Sequence, residues 1–422
     1  MAKLSEILKE RGYVYQYSSE KIEEITDGTK RTLYLGIDPT ADSMHVGQLQ
    51  GMMVLRRFVE DGHKLIIIVG GGTGMIGDPG GRSAERNLLD SATVEENTEA
   101  LRKQFQKLLG GVDFEMINNV EWLAKLNVIE FLRDVGKHFT VNAMLQRDFI
   151  KERIKDPEKG ISYTEFSYAL LQAYDFFHLH ENYGCDLQVG GSDQWGNIVS
   201  GVDFIRRRTA QAGKTGDTVY AFTWPLLADK AGKKFGKSEN GTIWLDSKKT
   251  SAFQFYQFWL NVEDDSLQEY LLKMTTLSRA EIDAVLELHK RDKKERHGQQ
   301  ILAREVTKLV HGEEEAGKAE RVSQALFGEG NLGELDEDEL LMLKMSGTSQ
   351  AVQMGMNITD VLVSTGLASS KREARQFIRD KAVHLGIQII TDQDRTLQKS
   401  DFYSGVALLK RGKRNVCVLV LS

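Results

Sequence analysis

The sequence predicts an α/β protein: a doubly wound parallel sheet, followed by an all-helical domain and a small basic α+β domain. Three observations carry that expectation. Through the first 230 or so residues, short β-type runs alternate with helical patterns, the arrangement that builds βαβ units and a parallel sheet. From 251 to 327 there is no proline and little glycine, and apolar residues recur among charged ones as on amphipathic helices. From 371 to 422 there are eleven Lys and Arg against five Asp and Glu, so this tail carries +6 while the rest of the −6 chain carries −12.

The elements follow in order. Strands are expected at TLYLGI (32–37), KLIIIV (64–69), DFEMIN (113–118), DLQVGG (186–191) and VYAFTW (219–224). Between the first two lies GQLQGMMVLRRFVEDG, with Leu49, Met52, Met53, Leu55, Phe58 and Val59 mostly at helical spacing, which makes the first βαβ unit. Residues 120–185 read as a mostly helical insertion within a first domain of 1–245, and 246–327 as the helical domain. The acidic, glycine-containing stretch GEGNLGELDEDEL at 328–340 reads as a linker or a solvated edge, and the linker is placed at 328–352. In the last unit, 353–422, Ser370 and Glu373 have capping-box spacing. Lys371, Arg375 and Arg379 share one helix face, with Arg372 beside them, and Ala374, Phe377 and Ile378 lie on another. VHLGIQIITDQDRTL and GVALLKRGKRNVCVLVL read as basic strands, so the unit has the size and charge of an RNA-binding module.

Composition excludes several classes. A chain of 422 residues with 41% hydrophobic content has room for two or three cored domains, which argues against disorder. Cys185 and Cys417 lie far apart with no C-x-x-C, so neither a disulfide framework nor a zinc site is indicated. The N-terminal MAKLSEILKERGY is a charged amphipathic stretch, and no apolar run approaches the roughly 18 residues of a membrane span, so a soluble cytoplasmic protein is expected. A basic tail on an acidic body fits a nucleic-acid partner or a solvated surface.

Three segments carry chemistry. GGGTGMIGDPGG (70–81) holds Gly72, Gly74 and Gly77 in the spacing G-x-G-x-x-G after an apolar strand. A dinucleotide cradle needs a helix opening at the third glycine, whereas here Asp78-Pro79-Gly80-Gly81 follows, which breaks one. The first strand ends in Gly36-Ile37-Asp38-Pro39-Thr40, and His45-Val46-Gly47-Gln48 opens the next helix. A histidine at a helix N-terminus, with a glycine two residues on, suits phosphate oxygens. In GKKFGKSENG (232–241), Lys234 and Lys237 lie three apart on a glycine-flanked loop suited to neutralising a polyphosphate.

HVGQ after the first strand and KFGKS after the last resemble the HIGH and KMSKS signatures of class I aminoacyl-tRNA synthetases. YLGIDPTADSMHVGQL, YALLQAYDF, GGSDQWGN and KFGKS, in this order and at these distances, sharpen the resemblance to the bacterial tyrosyl-tRNA synthetases, and it extends over essentially the whole chain. It implies a Rossmann-like catalytic domain, a helical domain on the anticodon side and a C-terminal domain similar to ribosomal protein S-four. The implied substrates are L-tyrosine, ATP with Mg2+ and tRNA(Tyr), with no prosthetic group or dedicated metal site, and the implied assembly is a homodimer meeting around 120–160. The implied reaction forms tyrosyl-adenylate and pyrophosphate, then transfers tyrosine to the tRNA 3′ end.

By the same resemblance, Tyr34 and Asp175 hold the substrate's phenolic hydroxyl, and Asp78, Tyr168 and Gln172 its ammonium. Tyr168, Gln172 and Asp175, spaced four and three apart, can share one helix face. Gln194 lies near the carboxylate. Gly36, Asp38, Gly47, Gly191 and Asp193 belong to the ATP side, with His45 and Lys237. Thr40, His45, Lys234 and Lys237, helped by Arg82 and Arg86, stabilise charge on the leaving phosphates. Lys371, Arg372, Arg375 and Arg379 face RNA. Two departures stand out: Gln48 replaces the second histidine of the HIGH signature, and Gly51, a poor helix former, follows in the same helix. The rivals are the tryptophanyl enzyme, an RNA-binding scaffold without chemistry, and a small-molecule nucleotidyltransferase.

Overall fold

The computed structural model describes residues 2–78, 90–147, 150–151, 154, 160–211, 213, 218–227, 237–238, 241–328, 331–347, 349–412 and 415–422. It divides into two compact units, Met1–Asp246 with Gln268–Asp283, and Ser247–Leu267 with Ala284–Ser422. Among the described residues no helix is long and apolar enough to cross a membrane. Cys185 and Cys417 are both buried and free.

The first unit is built on a six-stranded sheet of β1 (Gln16–Tyr17), β2 (Thr32–Ile37), β3 (Lys64–Val69), β4 (Glu115–Asn118), β5 (Leu187–Gly191) and β6 (Tyr220–Trp224), in the order β1-β6-β5-β2-β3-β4. All five strands expected from the sequence form and pair in parallel. The added strand β1 pairs antiparallel to β6, so one edge of the sheet departs from the purely parallel expectation. The chain winds outward one way through β2, β3 and β4, and the other way through β5 and β6. The switch point therefore lies between β2 and β5. There the pairing is unequal. β2 stays beside β3 over its whole length, to Ile37 opposite Val69, but pairs with β5 only at Leu33 and Tyr34. Beyond Tyr34 the two strands separate and leave a crevice at their carboxyl ends.

Both faces of the sheet are covered. Tyr34, Ile66, Ile68 and Ala221 pack with Phe176 and Leu179 of the helix Tyr163–Tyr183 and with Ile198, Val202 and Ile205 of the helix Trp195–Gln211. Phe222, next to Ala221 and hence on the opposite face, meets Phe58 of the helix Val46–Glu60 at 5.7 Å. The long helix Tyr163–Tyr183 begins with a reciprocal cap between Ser162 and Glu165 and stops at Gly184, whose φ of 64° is the left-handed conformation that ends helices. Among the described residues of 120–185, shorter helices precede it at Val120–Leu123, Val128–Asp134 and Val141–Leu145. Residues 268–283 join this unit through Arg11. Its guanidinium donates to the carbonyls of Leu272, Thr275 and Leu277, while the Tyr13 hydroxyl donates to Lys273 O at 2.8 Å.

In the second unit, the helices Ala252–Leu260, His297–His311 and Glu313–Phe327 pack on one another. The acidic stretch after them is folded: Glu337–Lys344 is a helix with a reciprocal Asp336–Glu339 cap, and Ser349–Val352 is a strand. That strand, β9, joins β10 (Val383–Leu385), β11 (Gln388–Ile389), β12 (Val406–Arg411) and β13 (Asn415–Leu421) in the order β11-β10-β12-β13-β9. One face of this sheet, with Ala407, Leu409, Cys417 and Leu419, packs on the helices Ile358–Ser364 and Lys371–Arg379 through Val361, Leu362, Ala374 and Ile378. The other face, with Val406, Leu408 and Val418, packs on Leu335, Leu340, Leu343, Val322, Leu326 and Phe253. The cap at Ser370 is half of the expected box. Ser370 Oγ accepts from Glu373 N–H, but the Glu373 carboxylate accepts from Ser369 N–H and Oγ–H instead of closing on Ser370. Lys371, Arg372, Arg375 and Arg379 are exposed on that helix, and Lys371 Nζ pairs with Asp360 Oδ1 at 2.5 Å.

Candidate active site

The crevice between β2 and β5 is the mouth of a cavity of about 550 Å3. Tyr34, Gly36, Asp38, Thr40, His45, Gly47, Asp78, Tyr168, Gln172, Asp175, Gly191, Asp193 and Gln194 all line it. Thirteen residues singled out along 160 positions of sequence are thus brought to one place by the parting of two strands. Lys234, Arg82 and Arg86 lie outside the described residues. Lys237 lies in a short hairpin, β7 (Lys237–Ser238) with β8 (Gly241–Thr242), described as backbone.

At the closed end, Tyr34 is 1% exposed with its ring against Phe176, and its hydroxyl has no hydrogen-bond partner among the described residues. Burial, reinforced by the neighbouring Asp175 charge, holds this phenol well above its ordinary range, so it stays protonated. Asp175 is 3% exposed, and burial pushes its carboxyl up to about 7. Two hydrogen bonds work against that shift: Trp122 Nε1–H donates to Oδ1 at 2.7 Å and Asn119 Nδ2–H to Oδ2 at 2.9 Å. Asn119 also binds Thr73 Oγ1 at 2.9 Å and the N–H of Gly72 at 2.8 Å, while the Trp122 indole stacks on His178 at 4.3 Å. The arrangement offers a phenol or alcohol one acceptor with lone pairs to spare and one hydroxyl.

Asn119 and Trp122 did not emerge from sequence reading. The available signal was their position just past a strand's carboxyl end, where α/β proteins place ligand contacts. Midway along the cavity, Gln194 Nε2–H donates to Asp78 Oδ2 at 2.8 Å, and Asn197 donates to Gln194 Oε1 at 3.3 Å. Arg147, also missed, in turn binds Asn197 Oδ1 at 3.4 Å, which leaves a cation behind the acidic wall. The glycine loop has a steric reason. A Cβ on Gly70 would meet Asp38 Oδ1 at 2.4 Å, and one on Gly71 would meet Asn118 Oδ1 at 2.2 Å. After Gly72 the chain forms a short 3-10 turn, Thr73–Met75, and Gly77 takes φ 85° to present Asp78. Gly77 and Asp78 themselves are not helical, and Pro79-Gly80-Gly81, on which the helix-breaking expectation rests, lie outside the described residues.

At the open end, His45 caps the helix Val46–Glu60: its Nδ1 accepts from Gly47 N–H at 3.0 Å, and Gln48 Oε1 accepts from His45 N–H at 3.0 Å. Accepting at Nδ1 puts the ring proton on Nε2, where it can donate into the cavity. The glycine at 51 also has its reason. Its Cβ would sit 2.8 Å from Trp224 Cζ2, so the helix can lie against that indole, which itself lines the cavity. A donor at a helix N-terminus facing a cleft with a carboxylate wall favours an anionic group at one end and a cationic one further in.

The family described as tRNA synthetases class I (W and Y) matches residues 26–328, and that of the Tyrosine–tRNA ligase SYY-like C-terminal domain matches residues 342–419. The Tyrosine–tRNA ligase of Roseiflexus castenholzii is 43% identical over 426 residues, spanning 98% of each chain. That of Aliivibrio fischeri is 44% identical over 418 residues, 96% of each. A C-terminally truncated mitochondrial tyrosyl-tRNA synthetase of Aspergillus nidulans matches in structure with a TM-score of 0.69 at 32% identity, over 78% of this chain and 95% of that one.

Proposed function

The chain belongs to the tyrosyl branch of the class I tRNA synthetases, and from that premise we infer that it attaches L-tyrosine to tRNA(Tyr) at the expense of ATP. The observation that carries the choice of amino acid is the buried Tyr34 hydroxyl beside the Asp175 carboxylate at the closed end of the cavity. A phenol both donates and accepts, so it can serve Asp175 and Tyr34 together. An indole has one N–H and no acceptor, and phenylalanine has neither, so each leaves a buried polar group unpaired.

In the first step the tyrosine carboxylate oxygen attacks the α-phosphorus of ATP, and the bond to the bridging oxygen breaks to release pyrophosphate. No protein nucleophile is required, and catalysis consists of positioning and of stabilising charge on the leaving phosphates. Asp78, Tyr168 and Gln172 take the ammonium and Gln194 lies near the carboxylate. Gly36, Asp38, Gly47, Gly191 and Asp193 accommodate the adenosine. Thr40, His45, Lys234 and Lys237, with Arg82 and Arg86, face the phosphates, and His45 contributes its Nε2–H. Magnesium enters as part of the MgATP substrate. In the second step a ribose hydroxyl of the tRNA 3′ end attacks the adenylate carbonyl and AMP leaves.

The domains divide this work: 1–245 for catalysis, with 120–185 as its helical insertion, 246–327 toward the anticodon side, and 353–422 for RNA, through Lys371, Arg372, Arg375 and Arg379. The enzyme works in the cytoplasm as a homodimer. The exposed Val128, Ile129, Leu132 and Val141 support an interface in 120–160, since such an apolar group on a surface calls for a cover. The reading is tested by exchange of labelled pyrophosphate into ATP across all twenty amino acids without tRNA. Exchange with tyrosine alone is expected. Exchange with tryptophan instead overturns the roles of Tyr34 and Asp175, and none with any amino acid leaves an RNA-binding scaffold without chemistry.

A further inference from the structure

Two segments named for their chemistry are tied together by a third that carries no signature. Just beyond the β7–β8 hairpin, Val46 N–H donates to Ile243 O at 3.0 Å and Leu245 N–H donates to Met44 O at 2.8 Å. These bonds flank an antiparallel bridge that sets His45 opposite Trp244 as a non-hydrogen-bonded pair, the geometry that brings cross-strand side chains closest. The two rings meet edge to face, with centroids 6.2 Å apart at 70°. Both line the cavity. Beside them, Asp246 N–H donates to Ser43 Oγ at 3.2 Å, which extends the seam by another residue.

The His45 ring is thereby fixed from two directions. Gly47 N–H engages Nδ1, which sets the tautomer, and the Trp244 indole limits rotation of the imidazole. The residue opposite His45 is also separated by only a few positions from Lys237, so one side chain links the histidine signature to the strand leaving the lysine loop. A side chain that makes no bond to substrate can still govern the rate when it sets the orientation of one that does.

We propose that Trp244 is a positioning residue for adenylate formation, orienting the His45 imidazole toward the leaving phosphates. This rests on the role given to His45 above. The test is a double-mutant cycle in the full chain, using Trp244→Ala, Trp244→Phe, His45→Ala and His45→Ala with Trp244→Ala. The rate of tyrosyl-adenylate formation in a single turnover is measured with the dissociation constant for tyrosine and the thermal midpoint. Trp244→Ala is expected to slow the step about tenfold while tyrosine affinity stays within about twofold, and Trp244→Phe to restore most of the rate. In the His45→Ala background the tryptophan change is expected to cost less than about twofold, because the group it orients is gone. An undiminished effect in that background overturns the proposal, as does a loss of rate matched by lost tyrosine affinity and a lowered midpoint, which marks a folding defect. A parent enzyme that forms no tyrosyl-adenylate overturns the functional reading itself, and this inference with it.

Discussion

Tyr34→Phe separates recognition from stability, because the two are expected to move in opposite directions. The Tyr34 hydroxyl is buried with no partner among the described residues, and a buried hydroxyl in that state costs about 1–3 kcal/mol. Phenylalanine removes the cost and leaves a void of at most about 15 Å3, which at about 24 cal/mol per Å3 takes back only about 0.4 kcal/mol. The net gain is about 0.6–2.6 kcal/mol, or a midpoint higher by roughly 1–10 °C in the transition that tyrosine shifts. With tyrosine bound the advantage shrinks, since only the parent gains a partner for its hydroxyl. Losing that bond is worth about 0.5–1.5 kcal/mol, a twofold to roughly twelvefold rise in the tyrosine dissociation constant. Thermal denaturation with and without tyrosine, alongside equilibrium binding, checks both signs. A variant that melts below the parent without ligand, or binds tyrosine equally well, would refute the reasoning.

Four further outcomes are expected. Gly51→Ala drives its methyl to 2.8 Å from Trp224 Cζ2, and overpacking of about 1–3 kcal/mol exceeds the roughly 1 kcal/mol gained in helix propensity, so the urea midpoint falls. A rise would show that the indole yields. Burial pushes the Asp175 carboxyl up to about 7 from its ordinary 3.8, so the folded state holds the extra proton between those values and stability declines as pH rises through that window. Between pH 5.5 and 8 the parent should lose about 2 kcal/mol more than Asp175→Asn in urea titrations, and equal losses would remove Asp175 as the source. Arg375→Gln with Arg379→Gln should weaken tRNA binding and reduce its salt slope by roughly 1.5–2, with pyrophosphate exchange unchanged, as filter binding across salt concentrations would record. Lys237→Ala should lower the adenylation rate far more than tyrosine affinity, and an unchanged single-turnover rate argues against its role.

The parallel strands were legible because each is a short apolar run closed by glycine, proline or a polar residue, and burial on both faces demands that pattern. β1 was not, since two residues, Gln16 and Tyr17, carry no period. In the site, the residues within motifs were legible because fixed spacing accompanies the chemistry. Asn119 and Trp122 escaped because their task depends on meeting Asp175, more than fifty positions away, and no local pattern encodes that meeting. Gly51 looked like a flaw in a helix until Trp224 was seen to occupy the space. The acidic stretch after 328 misled through its composition. Most of its described charged residues face water, but Glu339 is buried against Arg321, and Leu335, Leu340 and Leu343 are buried beside it.

Those leucines bear on where the chain can be cut. A fragment starting at 353 would lose β9, leaving one side of β13 with unpaired amides and carbonyls, and would bare Val406, Leu408 and Val418 to water. Such a fragment would find other edges and other apolar surfaces to pair with, and would precipitate. The basic module is therefore not a detachable hand. A soluble RNA-binding piece has to carry the helices before it, and a change in the acidic stretch that looks remote from RNA would be felt through the floor of the sheet on which the arginines stand.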